Sequence, residues 1–150
     1  MKSLKFIDWF NIIGVLFGFL LAVCGYYQID RHLEWSNYND LNLRYSNHYM
    51  KMPKDFSNTK LTIDELKYNE MIWIRAYFNL TSEQYYLFQE KLIPEEMWNK
   101  RIIGGLSVNL KEYPILIKGY EYWKANGAFS HPSNFTVKVD GIINSVDQQT

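Results

Sequence analysis

Hydrophobic residues are distributed unevenly along this chain, and their longest run lies close to the N-terminus. Residues 9–27 contain no charged side chain and one strongly polar residue. As a helix, this run measures roughly 29 Å at about 1.5 Å per residue, close to the ~30 Å hydrocarbon thickness of a bilayer. Aromatic side chains, which favour membrane interfaces, bracket it at both ends: Trp9, Phe10, Tyr26 and Tyr27. The pattern predicts a transmembrane helix in the lipid bilayer, preceded by a short N-terminal tail, within residues 1–27.

A cleaved N-terminal signal is the alternative for the same run. Lys2 and Lys5 provide the positive charge that precedes such a signal. Leu21–Cys24 resembles a lipoprotein cleavage site, in which Cys24 would be the lipidated residue. Val23, however, stands where a signal peptidase prefers Gly, Ala or Ser. We therefore favour an uncleaved helix, in which Cys24 is a small apolar residue.

Small residues in the predicted span recur at intervals of four. Gly14 and Gly18 form a G-x-x-x-G pattern that Ala22 continues. Such a pattern lets two membrane helices approach closely, although glycine is common in membrane helices for other reasons as well. The pattern is thus compatible with a protein partner or a homo-oligomer formed through the membrane helix.

The next segment predicts a helical stalk and then a loop. Residues 28–52 contain neither Gly nor Pro, and their apolar side chains approximate one helical face, although several Asn residues lower the helix propensity. His32 and His48 have no matching carboxylate pattern, and we expect both to be solvated. Residues 53–61 combine Pro, Asp, Ser and Asn, which predicts a loop between the stalk and the head.

Residues 62–146 predict a head domain of three to four helices. Apolar residues hold one helical phase from 62 to 91, which predicts a single long helix that begins at the capping box Thr62–Glu65. Pro94 suits the first position of the next helix, and Trp98 lies on the face that this helix would bury. The fold class is therefore all-α, with one transmembrane helix and stalk followed by a small helical bundle.

Glycine and proline mark further boundaries in the head. Gly104 and Gly105 follow two isoleucines in a helical stretch, and close helix packing explains them better than phosphate binding. Pro114 predicts the start of a helix that ends at Ala125, and Gly127 fits a left-handed C-terminal cap.

The C-terminal segment is compatible with two structures. Residues 135–143 resemble a hairpin around the turn Asp140–Gly141. An isolated two-stranded hairpin is marginally stable, and the same apolar residues share a helical face. We therefore predict a helix that starts near Ser133, followed by a disordered tail over residues 147–150.

Composition narrows the classes of function. The 16 basic and 16 acidic residues give zero net charge, which argues against a nucleic-acid partner. The single cysteine excludes an internal disulfide and a thiolate zinc site. Basic residues on the two sides of the predicted span balance, so they do not determine its orientation. The lack of cysteines after Cys24 favours a head in a reducing compartment.

No catalytic, cofactor or metal motif occurs in the sequence, so we predict neither an enzyme nor a cofactor. Glu83 is the acidic residue of greatest interest, because it lies among Tyr77, Tyr85 and Tyr86. A carboxylate that accepts hydrogen bonds from tyrosines is more often structural than catalytic. Together with Trp98, these residues form the candidate polar network or interaction surface.

The head also resembles a loosely defined group of small bacterial proteins that have an N-terminal membrane helix and an all-helical head. The resemblance is carried by residues 77–88 (YFNLTSEQYYLF), residues 92–98 (LIPEEMW) and the Gln28–Ile29 dipeptide after the span. This chain has Gln84 where the group has a second Glu, and Asp30 where a basic residue usually follows. The resemblance implies an inner-membrane protein with a cytoplasmic head, and it brings no established activity.

These features favour a single-pass membrane protein that acts as an interaction module or an accessory subunit. One alternative is a small-ligand receptor or an enzyme that uses a pocket around Glu83 and the tyrosine cluster. Another alternative is an effector that acts on the membrane itself.

Overall fold

The computed structural model describes residues 3–148, and it confirms the all-α class, because no strand occurs among them. Five α-helices follow one another along the chain: α1 Ser3–Tyr49, α2 Tyr68–Gln89, α3 Ile103–Glu112, α4 Pro114–Ala125 and α5 Phe135–Asp147. Short 3₁₀ turns occupy Lys54–Ser57 and Ile63–Glu65, and a π-helical turn occupies Met97–Ile102. Of the predicted disordered tail, Asp147 is helical, and residues 149–150 lie outside the described residues, as does Lys2.

Helix α1 is continuous over 47 residues, about 70 Å at 1.5 Å per residue. An 18-residue window near its N-terminus has a mean hydropathy of 2.0, and none of that window is buried. This stretch is long and apolar enough to cross a membrane. The absence of Gly and Pro between residues 26 and 52 explains why the helix continues past it.

The second half of the predicted stalk belongs to the head. Leu41 is 2% exposed and packs with Ile93 and Trp98, while Tyr45 packs against the main core. Apolar residues recur there at helical spacing because the head covers one side of α1. The expectation of a solvated His48 is wrong, because its ring stacks on that of Trp73.

The main core lies between α2, α3, α4 and α5. Aromatic residues supply seven of its fifteen buried side chains, and each ring buries a large apolar area. Its largest fully buried side chains are Tyr77, Tyr120, Phe56, Phe78 and Phe135. Phe56 comes from the predicted loop, which closes over one side of the bundle.

The predicted single helix over residues 62–91 is wrong, because α2 begins at Tyr68. Two separate N-terminal capping boxes explain why this segment is not one helix. Glu65 Oε2 accepts hydrogen bonds from the Thr62 backbone N–H and hydroxyl, both at 2.8 Å, which caps the start of a separate 3₁₀ turn. Glu70 Oε2 accepts the backbone N–H of Lys67 at 2.7 Å and begins α2. Lys67 itself is extended, so the chain turns between the two caps.

The segment after Pro94 is helical, as predicted, but its first turns are irregular. Residues 95 and 96 are helical, a π-turn follows over Met97–Ile102, and regular α3 then begins. A π-turn inserts an extra residue and is often found beside functional sites. Trp98 lies in this turn and is 1% exposed, so it is a core residue.

The predictions for α4 are confirmed. It begins at Pro114 and ends at Ala125, with Gly127 in the left-handed region at φ 81°. The Gly127 N–H bonds the Lys124 carbonyl oxygen at 3.0 Å, and the Ala128 N–H bonds that of Trp123 at 2.9 Å. These two bonds form a Schellman cap, which left-handed glycine permits.

The close packing expected at Gly104 and Gly105 is wrong, because a Cβ at either position would meet nothing within 4 Å. The closely packed glycine is Gly119 of α4, which lies against Ile74 of α2. Glycine spacing alone does not show which glycine faces another helix.

The C-terminal segment is a helix, as predicted, and α5 begins at Phe135. Five apolar residues of α5 are buried in the bundle: Phe135, Val139, Ile142, Ile143 and Val146. Burial of a whole helical face explains why the hairpin alternative does not form.

Candidate functional site

Glu83 forms an ion pair on the surface of the head. Its two carboxylate oxygens accept hydrogen bonds from the Arg44 guanidinium at 2.7 and 2.8 Å, which links α2 to α1. The two side chains are 41% and 46% exposed, so solvent screens the pair. Glu83 and Tyr86 also line a shallow groove beside His131.

Tyr77 lies on another face of α2, inside the bundle. Its hydroxyl oxygen accepts hydrogen bonds from the Tyr45 hydroxyl and from Asn109 Nδ2, both at 3.0 Å. Asn109 Nδ2 also donates to the Tyr45 oxygen at 2.7 Å. These three residues form a closed polar network that joins α1, α2 and α3.

Tyr85 belongs to an aromatic cluster rather than to that network. Its ring centroid lies 5.3 Å from that of Trp98, and Phe88 stacks on Trp98 at 5.0 Å. The predicted site residues therefore separate into three environments. Tyr77 lies in the polar network, Tyr85 and Trp98 lie in the aromatic cluster, and Glu83 lies at the surface.

A cavity of about 60 Å³ lies beside the polar network, where α1, α2 and the π-turn meet. The tyrosine rings and two aliphatic side chains form its walls, and polar groups from all three elements face it. Ten residues line it: Tyr38, Asn42, Tyr45, Tyr77, Thr81, Gln84, Arg101, Ile102, Gly105 and Leu106.

Gln84 is the exceptional residue of this cavity. It is 4% exposed, and its side-chain oxygen Oε1 is buried without a hydrogen-bond partner. A buried polar group without a partner costs about 1–3 kcal/mol and is rare in folded proteins. No other described side chain has a buried oxygen or nitrogen in this state.

Electrostatics of the cavity favour neutral phenols inside and positive charge at the rim. Burial raises the pKa of Tyr45, and it raises the pKa of Tyr77 well above 10, so both hydroxyls keep their protons. Arg101 is exposed at the rim and has no hydrogen bond or ion pair among the described residues. No acidic residue lines the cavity.

The π-turn forms part of the cavity wall. Arg101 and Ile102 are its last two residues, and Gly105 follows one turn later. Since Gly105 has no side chain and faces open space, the backbone of α3 leaves room there.

Sequence reasoning missed Gln84 and Asn109, although a usable signal was present. Tyr77, Thr81 and Gln84 are spaced four and three residues apart and therefore share one side of α2. Polar residues in phase with buried apolar ones indicate a polar site inside a bundle. Among residues 9–146, no group of three or more His, Cys, Asp or Glu side chains could hold a metal ion.

The seven residues predicted to line or bracket the membrane span all lie on α1, away from the head: Trp9, Phe10, Gly14, Gly18, Cys24, Tyr26 and Tyr27. All seven are exposed, and a Cβ at Gly14 or Gly18 would meet nothing within 4 Å. Nothing in the described part of the chain covers this length of helix.

Comparisons with protein-family models, with curated proteins and with solved structures found no significant match to this chain. The resemblance described above therefore rests on its quoted motifs alone.

Proposed function

We propose that this chain is a single-pass membrane protein whose helical head acts as an interaction module or an accessory subunit of a membrane complex. One observation carries the proposal. Helix α1 continues without a break from the exposed apolar residues 9–27 into the half that packs inside the head.

The apolar half of α1 exposes too much hydrophobic surface for a helix in water. Its exposed large side chains are Trp9, Phe10, Ile12, Ile13, Val15, Leu16, Phe17, Phe19, Leu20, Leu21, Val23, Tyr26 and Tyr27. Even at about 1.5 kcal/mol for each, covering them would release on the order of 20 kcal/mol. That exceeds the net stability of a typical domain, about 5–15 kcal/mol, so a bilayer is the surrounding we propose.

The same helix would hold the head at a defined distance from the bilayer. Asn37 makes the first polar contact, since its Nδ2 donates to the Leu92 carbonyl oxygen at 3.0 Å. Ten residues of helix separate Tyr27 from Asn37, which is about 15 Å. Leu41 and the Arg44 ion pair then attach α1 to the head, so the head is coupled to the span without a flexible linker.

The side of α1 away from the head carries the surface that we assign to pairing. At spacings of three and four residues, the small residues of the span continue into exposed apolar residues beyond it. In order, this stripe comprises Gly14, Gly18, Ala22, Gly25, Ile29 and Leu33. A second copy of the chain is the occupant that we propose, because small residues let two identical membrane helices cross closely.

We further propose that the head faces the cytoplasm of a bacterial cell, with α1 in the inner membrane. The lack of cysteines after Cys24 and the resemblance to small bacterial membrane proteins support this orientation. Accessibility of a cysteine introduced at Ser107 to a membrane-impermeant reagent in intact cells tests it. Labelling before lysis would contradict a cytoplasmic head.

Membrane integration is tested by carbonate extraction of membranes from cells that express the full chain. Leu16→Arg places a charge near the middle of the span at a cost of about 2.5–3.5 kcal/mol, so its membrane fraction should fall. Leu33→Arg, on the same helix beyond the span, is the matched control and should stay in the membrane. Release of the wild-type chain by carbonate, or a mature chain that begins at Cys24, would contradict the proposal.

Pairing is tested with two differently tagged copies that are co-expressed and purified in mild detergent. The wild-type copies should co-purify, and Gly18→Ile should abolish this because the helices can no longer approach closely. Leu20→Ile, on the opposite side of α1, should leave pairing intact. Wild-type copies that do not co-purify, or Gly18→Ile copies that pair like wild type, would refute the pairing surface.

A further inference from the structure

The cavity beside Gln84 has two unsatisfied hydrogen-bonding groups inside the bundle. The first is Gln84 Oε1, an acceptor that no protein group reaches. The second is a phenol hydrogen. Tyr45 and Tyr77 together carry two hydroxyl hydrogens, and the bond between them uses one. Asn109 Nδ2 donates a hydrogen bond to each of the two phenol oxygens, so it cannot accept a phenol hydrogen. The hydrogen that remains is that of the Tyr77 hydroxyl, and Tyr77 lines the cavity.

A single hydroxyl group of a ligand could bond both Gln84 Oε1 and the phenol hydrogen, because a hydroxyl donates and accepts through the same oxygen atom. It would donate to Gln84 Oε1 and accept the remaining phenol hydrogen. A cavity of about 60 Å³ exceeds the space needed for one water molecule, which is about 10–15 Å³ by this type of measure. It has room for a small organic molecule whose carbon atoms contact Ile102 and Leu106.

The charged residue at the rim of the cavity indicates the charge of such a molecule. Arg101 is the charged residue in the lining, and it lacks an ion-pair partner among the described residues. A guanidinium favours a carboxylate, which it can bind through two parallel hydrogen bonds. The absence of acidic residues from the lining disfavours a cation.

Bilayer lipids are a poor source for the ligand. Asn42, at the rim, lies fifteen residues beyond Tyr27 on the continuous helix, which is about 22 Å of axial rise. That places the rim beyond the headgroup layer of the membrane proposed above. The ligand would arrive from the aqueous phase.

We propose that this cavity binds a short-chain hydroxycarboxylate. Its hydroxyl group bonds Gln84 Oε1 and the tyrosine pair, and its carboxylate lies at Arg101. The head is thereby a receptor for a small metabolite, a role that is independent of membrane anchoring. The site differs from a pocket at Glu83, which lies on another face of α2.

Calorimetric titration of the full chain in detergent micelles tests this site, with lactate and glycolate as probes. For ligands of five or six non-hydrogen atoms we expect a Kd of about 1 mM. Propionate and acetate, which lack the hydroxyl, should bind at least about tenfold more weakly, because Gln84 stays unpaired. Equal binding of lactate and propionate would overturn the proposal.

Two variants locate the binding. Gln84→Leu should weaken lactate binding at least about tenfold, whereas Gln89→Leu, on the exposed side of the same helix, should not change it. Arg101→Met, at the surface, should weaken lactate but leave propane-1,2-diol unaffected, and it keeps the test valid if Gln84→Leu does not fold. If neither probe binds and Gln84→Leu only raises the unfolding temperature, the cavity holds water and the proposal fails.

Discussion

Replacing Gly119 by alanine should destabilise the head, although alanine is the better helix former. A Cβ at this position would lie 2.6 Å from Ile74 Cδ1 and 2.8 Å from Ile74 Cγ2. Ile74 is fully buried, and its own Cβ would be 3.4 Å from the new methyl group. Rotation of the end of the Ile74 side chain can relieve the Cδ1 contact but not the Cγ2 contact. Helices α2 and α4 must therefore move apart.

The magnitude follows from two opposing effects. In a helix interior, Gly→Ala gains up to about 1 kcal/mol from helix propensity. Overpacking a filled core costs typically about 1–3 kcal/mol. Since the contacts fall on a branched, buried side chain, we expect overpacking to dominate and Gly119→Ala to lower the free energy of unfolding by about 1–2 kcal/mol.

Urea unfolding of the full chain in detergent, followed by tryptophan fluorescence, measures this difference. Gly104→Ala is the matched control, because its Cβ meets nothing within 4 Å in α3. It should raise the free energy of unfolding by about 0.5–1 kcal/mol. Ile74→Ala, which removes both Cδ1 and Cγ2, should reduce the cost of the alanine at 119 in a double-mutant cycle. Equal stabilisation of the head by Gly119→Ala and Gly104→Ala would contradict overpacking at Gly119.

Two further predictions concern polar contacts between α1 and α2. His48 stacks on Trp73 at 4.4 Å, and burial lowers its pKa below the usual 6.5. The unfolded chain therefore takes up a proton first, so the free energy of unfolding should fall as the pH drops below about 7. His48→Gln should flatten this fall in a pH series, and an equally steep series would contradict the assignment. For Arg44 and Glu83, a double-mutant cycle with Arg44→Met and Glu83→Gln should give a coupling of at most about 1 kcal/mol that decreases with salt; a salt-independent coupling would show that the pair is shielded from solvent.

Two adjacent residues of α2 show what could be predicted from the sequence and what could not. Glu83 and Gln84 are neighbours, and the helix turns by about 100° between them. Glu83 therefore reaches Arg44 at the surface, while Gln84 enters the cavity. The sequence indicated that a polar group lay among tyrosines, but the phase of the helix relative to α1 decided which group it was.

The long helix expected over residues 62–91 shows a second limit of prediction from sequence. Apolar periodicity continued through Thr62–Lys67, so spacing alone predicted one helix. Two capping carboxylates, Glu65 and Glu70, each bond a different backbone N–H group, so the chain starts helical structure twice. Helical periodicity reports which face is apolar, and it does not detect a change in chain direction between two turns.

By itself, the sequence determined the features that depend on neighbouring residues. These are the all-α class, the apolar length of α1, the start of α4 at Pro114 and the left-handed cap at Gly127. Propensity, hydropathy and capping act over a few residues, so a single chain segment contains the information. The tertiary structure alone decided that the end of α1 enters the head, that Gly119 is the closely packed glycine, and that Gln84 lies unpaired in a cavity. Each of these depends on contacts between residues far apart in the chain, and those contacts are set by how complete helices pack against one another.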